Sequence, residues 1–136
     1  MIHPQLIEDC HLLGSFASST VLLHRNASLP WFILVPDTEL EDLLDLPAEK
    51  LQQVTEDCQR ISAFLKQYLA YDKVNFAGLG NVVPQMHLHI IGRSTSDACW
   101  PQPVWGNLSS SADYDSATIV EWREQLVSEY GLCATG

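Results

Sequence analysis

The chain has 136 residues, 46% of apolar type and 18% charged, and its 7 Lys plus Arg against 17 Asp plus Glu give a formal net charge of −10. This composition predicts one globular domain over residues 1–136 with a buried core, and it excludes disorder as the main state. The negative charge argues against nucleic acid or an anionic membrane surface as a partner, while leaving room for a local pocket for one small phosphate ligand.

Pro4 to about Phe16 reads as a short helix, because Leu6, Cys10 and Leu13 recur at spacings of 4 and 3 and Gly14 can stop it. Thr20 to His24 is rich in strand formers, Arg25 to Pro30 has turn chemistry, and Trp31 to Val35 is a continuous apolar run. Two strands around a short connection predict a hairpin-like pair, with the apolar run in the sheet centre. Leu40 to Leu46 reads as a short helix, and Pro47 suits the first position of a long one. Leu51, Val54, Cys58, Ile61, Leu65, Tyr68 and Leu69 form its apolar stripe, with Asp57 among the polar residues mostly off it.

Lys73 to Leu79 and Gln85 to Ile91 read as strands joined by a tight link containing Gly78, Gly80, Asn81 and Pro84, with Gly92 ending the second. Ser94 to Ser111 is loop-like. Asp115 to about Glu129 predicts a C-terminal helix with Ile119, Trp122, Leu126 and Val127 on its apolar side, capped by Asp115 or Ser116. The short links favour antiparallel pairing, so the predicted class is α+β.

No apolar run approaches the ~20 residues of a membrane span. Residues 1–5 carry neither a basic n-region nor an apolar h-region, and Cys10, Cys58, Cys99 and Cys133 form no C-x-x-C. Reduced thiols and a cytoplasmic location are the expectation.

The chemistry concentrates in Gln85-Met86-His87-Leu88-His89-Ile90-Ile91. In a strand, Gln85, His87 and His89 share one face and Met86, Leu88 and Ile90 the other, with same-face neighbours roughly 6.5–7 Å apart. The apolar row belongs in the core; folding alone does not demand the polar row. Three readings stand. The histidines can face solvent on an edge strand. They can be two ligands of a metal whose further ligand, His3, His11 or His24, arrives only through the fold. Or, beside a glycine-rich bend whose N–H groups cradle an anion, a neutral imidazole can attack phosphorus. On the polar face, loss of the His87 side chain is expected to cost little stability.

The segment resembles the signature of the histidine triad (HIT) family, in which three histidines alternate with apolar residues before a further apolar pair. His87 and His89 match the middle and last histidines, and Gln85 replaces the first. The element order is also similar: a hairpin ending in Ile33-Leu34-Val35-Pro36, a long helix, then two strands with the triad on the second. Trp100-Pro101 is similar to the tail of some members. The likeness covers about residues 1–106, with a helical extension over about 112–130. It implies a HIT-like fold with an antiparallel sheet of about five strands, a long helix packed on it, and N- and C-terminal helices.

The resemblance further implies cleavage of a nucleoside monophosphate from a phosphoanhydride, phosphoramidate or dinucleoside polyphosphate. His87 would become nucleotidylated, and His89 would support the phosphate and the tautomer of its neighbour. No metal or other cofactor is implied, the ligand is a small nucleotide, and many members are homodimers. The amide of Gln85 can donate to a phosphate oxygen or a histidine but cannot exchange a proton near pH 7. Trp31 falls where many members carry a fourth histidine, which removes a proton donor to the leaving group. Asn81 is the expected phosphate-loop side chain, and His24 lies in the turn where the family binds ribose and base. Trp31 can stack on a base or be an ordinary core residue. Trp100 and Trp105 can close the pocket, or that of a partner subunit, and Arg93 is a phosphate partner or a surface ion pair. The alternative to an enzyme is a nucleotide-binding module with little catalysis.

Overall fold

The structure, a computed structural model, describes residues 1–134. The elements run α1 (Pro4–Asp9), β1 (Cys10–Ser15), β2 (Ser19–His24), β3 (Trp31–Pro36), a 3-10 turn (Leu43–Asp45), α2 (Ala48–Ala63) continuing into a π-helical turn (Phe64–Tyr68), β4 (Lys73–Ala77), β5 (Leu88–Arg93), α3 (Ser116–Tyr130) and β6 (Cys133–Ala134). The strands form one antiparallel sheet in the order β4-β5-β3-β2-β1-β6. This is an α+β architecture with six strands rather than about five.

The largest departure lies at the start of the chain. The helix expected to reach Phe16 stops at Asp9, and Cys10–Ser15 is a strand. Leu6 and Cys10 do share an apolar cluster, as their spacing suggests, but Cys10 reaches it from β1. Leu13 is the extra residue of a bulge between Leu12 and Gly14, and it turns into the opposite cluster. A bulge erases the period-2 signal that would have marked the strand.

Alternation along β2, β3 and β5 sorts their side chains to two faces. Val21, Leu23, Phe32, Leu34, Leu88 and Ile90 point to one, where α2 and its π turn supply Val54, Cys58, Ile61, Phe64 and Leu65 and α3 supplies Leu126. Leu22, Trp31, Ile33, Val35 and Ile91 point to the other, covered by Leu6 of α1 and by Leu29, Val83 and Val104. All six residues of β3 are therefore buried, as expected of a central strand.

Asp57 is not on the solvated side of α2. It is buried, and its Oδ2 accepts from the Ser18 backbone N–H and the Ser19 hydroxyl, tying the β1–β2 turn to the helix. α3 is capped by Asp115, whose Oδ1 accepts from the Thr118 N–H at 2.8 Å, and it ends at Gly131 with φ 81°. Arg123 holds it to β1 by donating to the Leu12 and Leu13 carbonyls. Val127, expected on its apolar side, is exposed.

β5 begins at Leu88, later than expected, and runs through Gly92 to Arg93. Gly92 does not end the strand but pairs with Val74. A Cβ there would sit 2.8 Å from Pro30 Cγ and 3.0 Å from Tyr71 Cγ, so the missing side chain lets two segments close on the strand. Gly92→Ala is expected to destabilise the protein by about 1–3 kcal/mol through overpacking, read as a lower urea midpoint at unchanged m-value.

Candidate active site on the second face of the sheet

The link between β4 and β5 is irregular, and Gly80 adopts φ 67° within it. Because β5 starts at Leu88, Gln85 lies in this link rather than on the strand. The chain still brings His87 and His89 together, with ring centroids 5.0 Å apart and planes at 70°. They do not face open solvent: His87 is 9% and His89 6% exposed. His87 is thus buried rather than on an open face, so the loss of its side chain is expected to cost stability.

Each imidazole has one defined partner. His87 Nδ1 lies 2.7 Å from the Gln85 carbonyl oxygen. A carbonyl only accepts, so Nδ1 carries the proton and Nε2 keeps its lone pair. His89 Nδ1 accepts from the Trp31 indole N–H at 3.0 Å. Burial first, then the neighbouring His87 and His24, pushes the His89 pKa down to about 4.

Trp31 is the hub of the assembly. His24, half-buried at the end of β2, stacks on it at 4.1 Å and 9°. The Asn26 backbone N–H donates to His24 Nδ1, and burial lowers the His24 pKa against the opposing pull of Asp9. Trp105 meets both Trp31 at 5.9 Å and His89 at 4.9 Å, edge-on. It therefore covers His89 of its own chain. Trp100 instead lies by the Arg93 guanidinium at 5.5 Å.

Gln85 contributes to this arrangement through its backbone. Its side-chain amide is turned to the N-terminal segment, with Nε2 donating to the Met1 carbonyl at 2.8 Å and Oε1 accepting from the His3 N–H at 2.7 Å. That segment walls a cleft of about 730 Å³ together with Gln85, the turn Ser15–Thr20 and the stretch Val35–Glu41; neither His87 nor His89 lines it. Asn81 is exposed in the link, and no hydrogen bond connects its side chain to the histidines among the described residues.

Arg93 is neither a phosphate partner nor a surface ion pair. It is 1% exposed, its Nε and Nη2 donate to the Asp97 carboxylate at 2.7 and 3.2 Å, and it also donates to Asn75 Oδ1 and the Gln102 carbonyl. Burial pulls the Asp97 pKa up, but hydrogen bonds from Arg93, Ser94 and Cys99 bring it down to about 2. The pair anchors the loop that carries Trp105. Sequence reading missed Asp97 and Gln102 here; the only signal was an acid four residues after an arginine.

Among the described residues, no three His, Cys, Asp or Glu side chains are grouped to hold a metal ion. His3 caps α1, His11 pairs with Asp113, and His24 stacks on Trp31, so none joins His87 and His89 as a third ligand. The arrangement offers one imidazole with a free lone pair beside a second, neutral one under an aromatic cover.

The HIT domain family model matches residues 6–96. A histidine triad protein from Bradyrhizobium japonicum is 36% identical, with 96% of this chain and 97% of that one covered and a TM-score of 0.88. One from Marinobacter aquaeolei is 35% identical over 93% of this chain and 92% of that one, at a TM-score of 0.85. One from Sinorhizobium meliloti is 26% identical over 93% and 94%, at a TM-score of 0.87. No curated protein matches the sequence.

The pKa of His89 makes stability pH-dependent. Unfolded, the group titrates near 6.5, and folded near 4. As pH drops from 6.5 the unfolded chain takes a proton that the folded chain refuses, so stability falls towards pH 4 and gains nothing from His89 above 6.5. Urea denaturation should show a loss of stability between about pH 6.5 and 4.5, of which about 2–3 kcal/mol disappears in His89→Gln while the part due to His24 remains.

Proposed function

The chain belongs to the histidine triad family, and from that premise we propose that it cleaves a nucleoside monophosphate from a phosphoanhydride, phosphoramidate or dinucleoside polyphosphate through a nucleotidyl intermediate on His87. The observation that carries this reading is the 2.7 Å contact from His87 Nδ1 to the Gln85 carbonyl, which leaves Nε2 as the nucleophilic nitrogen.

In the first displacement the Nε2 lone pair forms a bond to the α-phosphorus, and the leaving group departs with its bonding electrons. In the second, water attacks the same phosphorus, loses a proton to solvent, and the N–P bond breaks to restore His87. His89 supports the phosphate charge. The backbone position of Gln85 matters more than its amide, which is spent on Met1 and His3. Trp31 carries no exchangeable proton near pH 7, so the site suits leaving groups that depart without help from an acid at that position. His24, stacked on Trp31, would lie on the side of ribose and base. By the same reading the ligand is a small nucleotide, no metal takes part, and the working species is a cytoplasmic homodimer.

A second reading draws on the same two departures. With Gln85 committed to the N-terminus and Trp31 unable to act as an acid, the site can hold a nucleotide with little turnover. Release of nucleoside monophosphate from a dinucleoside polyphosphate separates the two. On the enzymatic reading, His87→Ala lowers release by at least ~10³-fold while a melting curve shows a folded protein destabilised by about 1–3 kcal/mol. Unchanged release in His87→Ala contradicts that reading. No release by the unaltered protein, with thermal stabilisation by the nucleotide, favours the binding module.

A further inference from the structure

Trp31 and His89 are brought together by the register of the sheet. Trp31 pairs with Ile91 and Ile33 with His89, so indole and imidazole are diagonal neighbours on one face, within reach of an aromatic side chain. The indole N–H lies 3.0 Å from His89 Nδ1 in a buried contact. An indole N–H can only donate, so Nδ1 must offer its lone pair, and the proton of the neutral ring sits on Nε2.

We propose that Trp31 is a positioning residue for the reaction at His87: its N–H holds His89 as the neutral Nε2–H tautomer, so that His89 meets the phosphate as a fixed hydrogen-bond donor and moves no proton. This rests on the reading of His87 as the nucleophile.

Three features support it. The indole is packed on two sides, with His24 stacked on its face at 4.1 Å and Trp105 against it edge-on at 5.9 Å. The titratable groups facing His89 are His87 and His24, Trp31 and Trp105 complete its aromatic surroundings, and no carboxylate is hydrogen-bonded to it among the described residues. Burial and both neighbouring histidines accordingly disfavour the imidazolium. Finally, the two imidazoles are set in opposite tautomers. The Gln85 carbonyl leaves His87 with a free Nε2 lone pair, and Trp31 leaves His89 with an Nε2 proton. A displacement at phosphorus needs one of each: a lone pair for the phosphorus and an N–H for a non-bridging oxygen. A histidine at position 31 could accept, donate or carry a charge; tryptophan exchanges that capacity for one tautomer across a wide pH range.

Nitrogen-15 imidazole spectra of the histidine-labelled protein test this directly between about pH 5 and 8. The unaltered protein should show His89 with Nδ1 unprotonated, Nε2 protonated and no titration over that range. Trp31→Phe, which keeps an aromatic ring and loses the N–H, should give a mixture of the two neutral tautomers of His89. In kinetics, Trp31→Phe should lower kcat by roughly 10–100-fold with little change in KM. A proton on Nδ1 of His89 in the unaltered protein overturns the proposal even if the variant does not fold. So does a Trp31→Phe protein with an unchanged His89 spectrum or an unchanged kcat. Failure of the nucleophile reading is distinct: His87→Ala would keep its turnover whatever the His89 spectrum shows.

Discussion

The antiparallel pairing of β3 with β5 is the constraint on which the rest of this structure depends. It sets Ile33 opposite His89 and Trp31 opposite Ile91, and so fixes which groups can meet on the second face. The same register sends Phe32, Leu34, Leu88 and Ile90 into the helix-covered core. A slip of one residue would exchange the two faces, moving His89 under α2 and Ile90 into the aromatic assembly. The hydrophobic demand of the first core thereby holds the chemistry of the second face in place. Burying two imidazoles is costly unless their polar atoms are paired, at about 1–3 kcal/mol for each unsatisfied group. The Gln85 carbonyl and the Trp31 indole supply those partners, one for each ring.

Two segments from outside the sheet enclose this face, each tied down by a polar anchor. The loop after β5 carries Trp105 onto His89 and is held by the buried Arg93–Asp97 pair with Asn75 and Gln102. The N-terminal segment is held by the two-point amide contact of Gln85. Gln85 thus serves two neighbours at once, its carbonyl orienting His87 and its side chain fixing residues 1–3. At this position the chain has an amide that organises structure and performs no proton transfer.

Much of this was legible in the sequence, for identifiable reasons. The stripe from Val54 to Leu65 marks α2 because a long amphipathic helix repeats its signal over several turns. Asp115 marks the start of α3 because capping is a local hydrogen bond. The His87–His89 pairing was legible because residues two apart near a strand share a face. What escaped depends on distant partners. β1 read as helix because Leu6, Cys10 and Leu13 mimic a helical spacing and the bulge at Leu13 hides the strand. The closure of the second face by Val83 and Val104 also escaped, because no periodicity links them to β5, whereas Trp105 stood out as an aromatic residue in a proline-rich loop. Arg93 looked like a surface charge because its acceptors lie in a loop and on another strand. Gln85 looked like a strand residue because the alternating pattern extends past the point where pairing begins.

On the proposed reading, His87 attacks phosphorus and holds the nucleotide covalently. The most direct test is the stereochemistry of hydrolysis at the α-phosphorus, using a substrate made chiral there by sulfur and isotopically labelled water. Two in-line displacements, first by His87 and then by water, predict overall retention of configuration. Inversion would mean a single direct attack by water and would contradict the account.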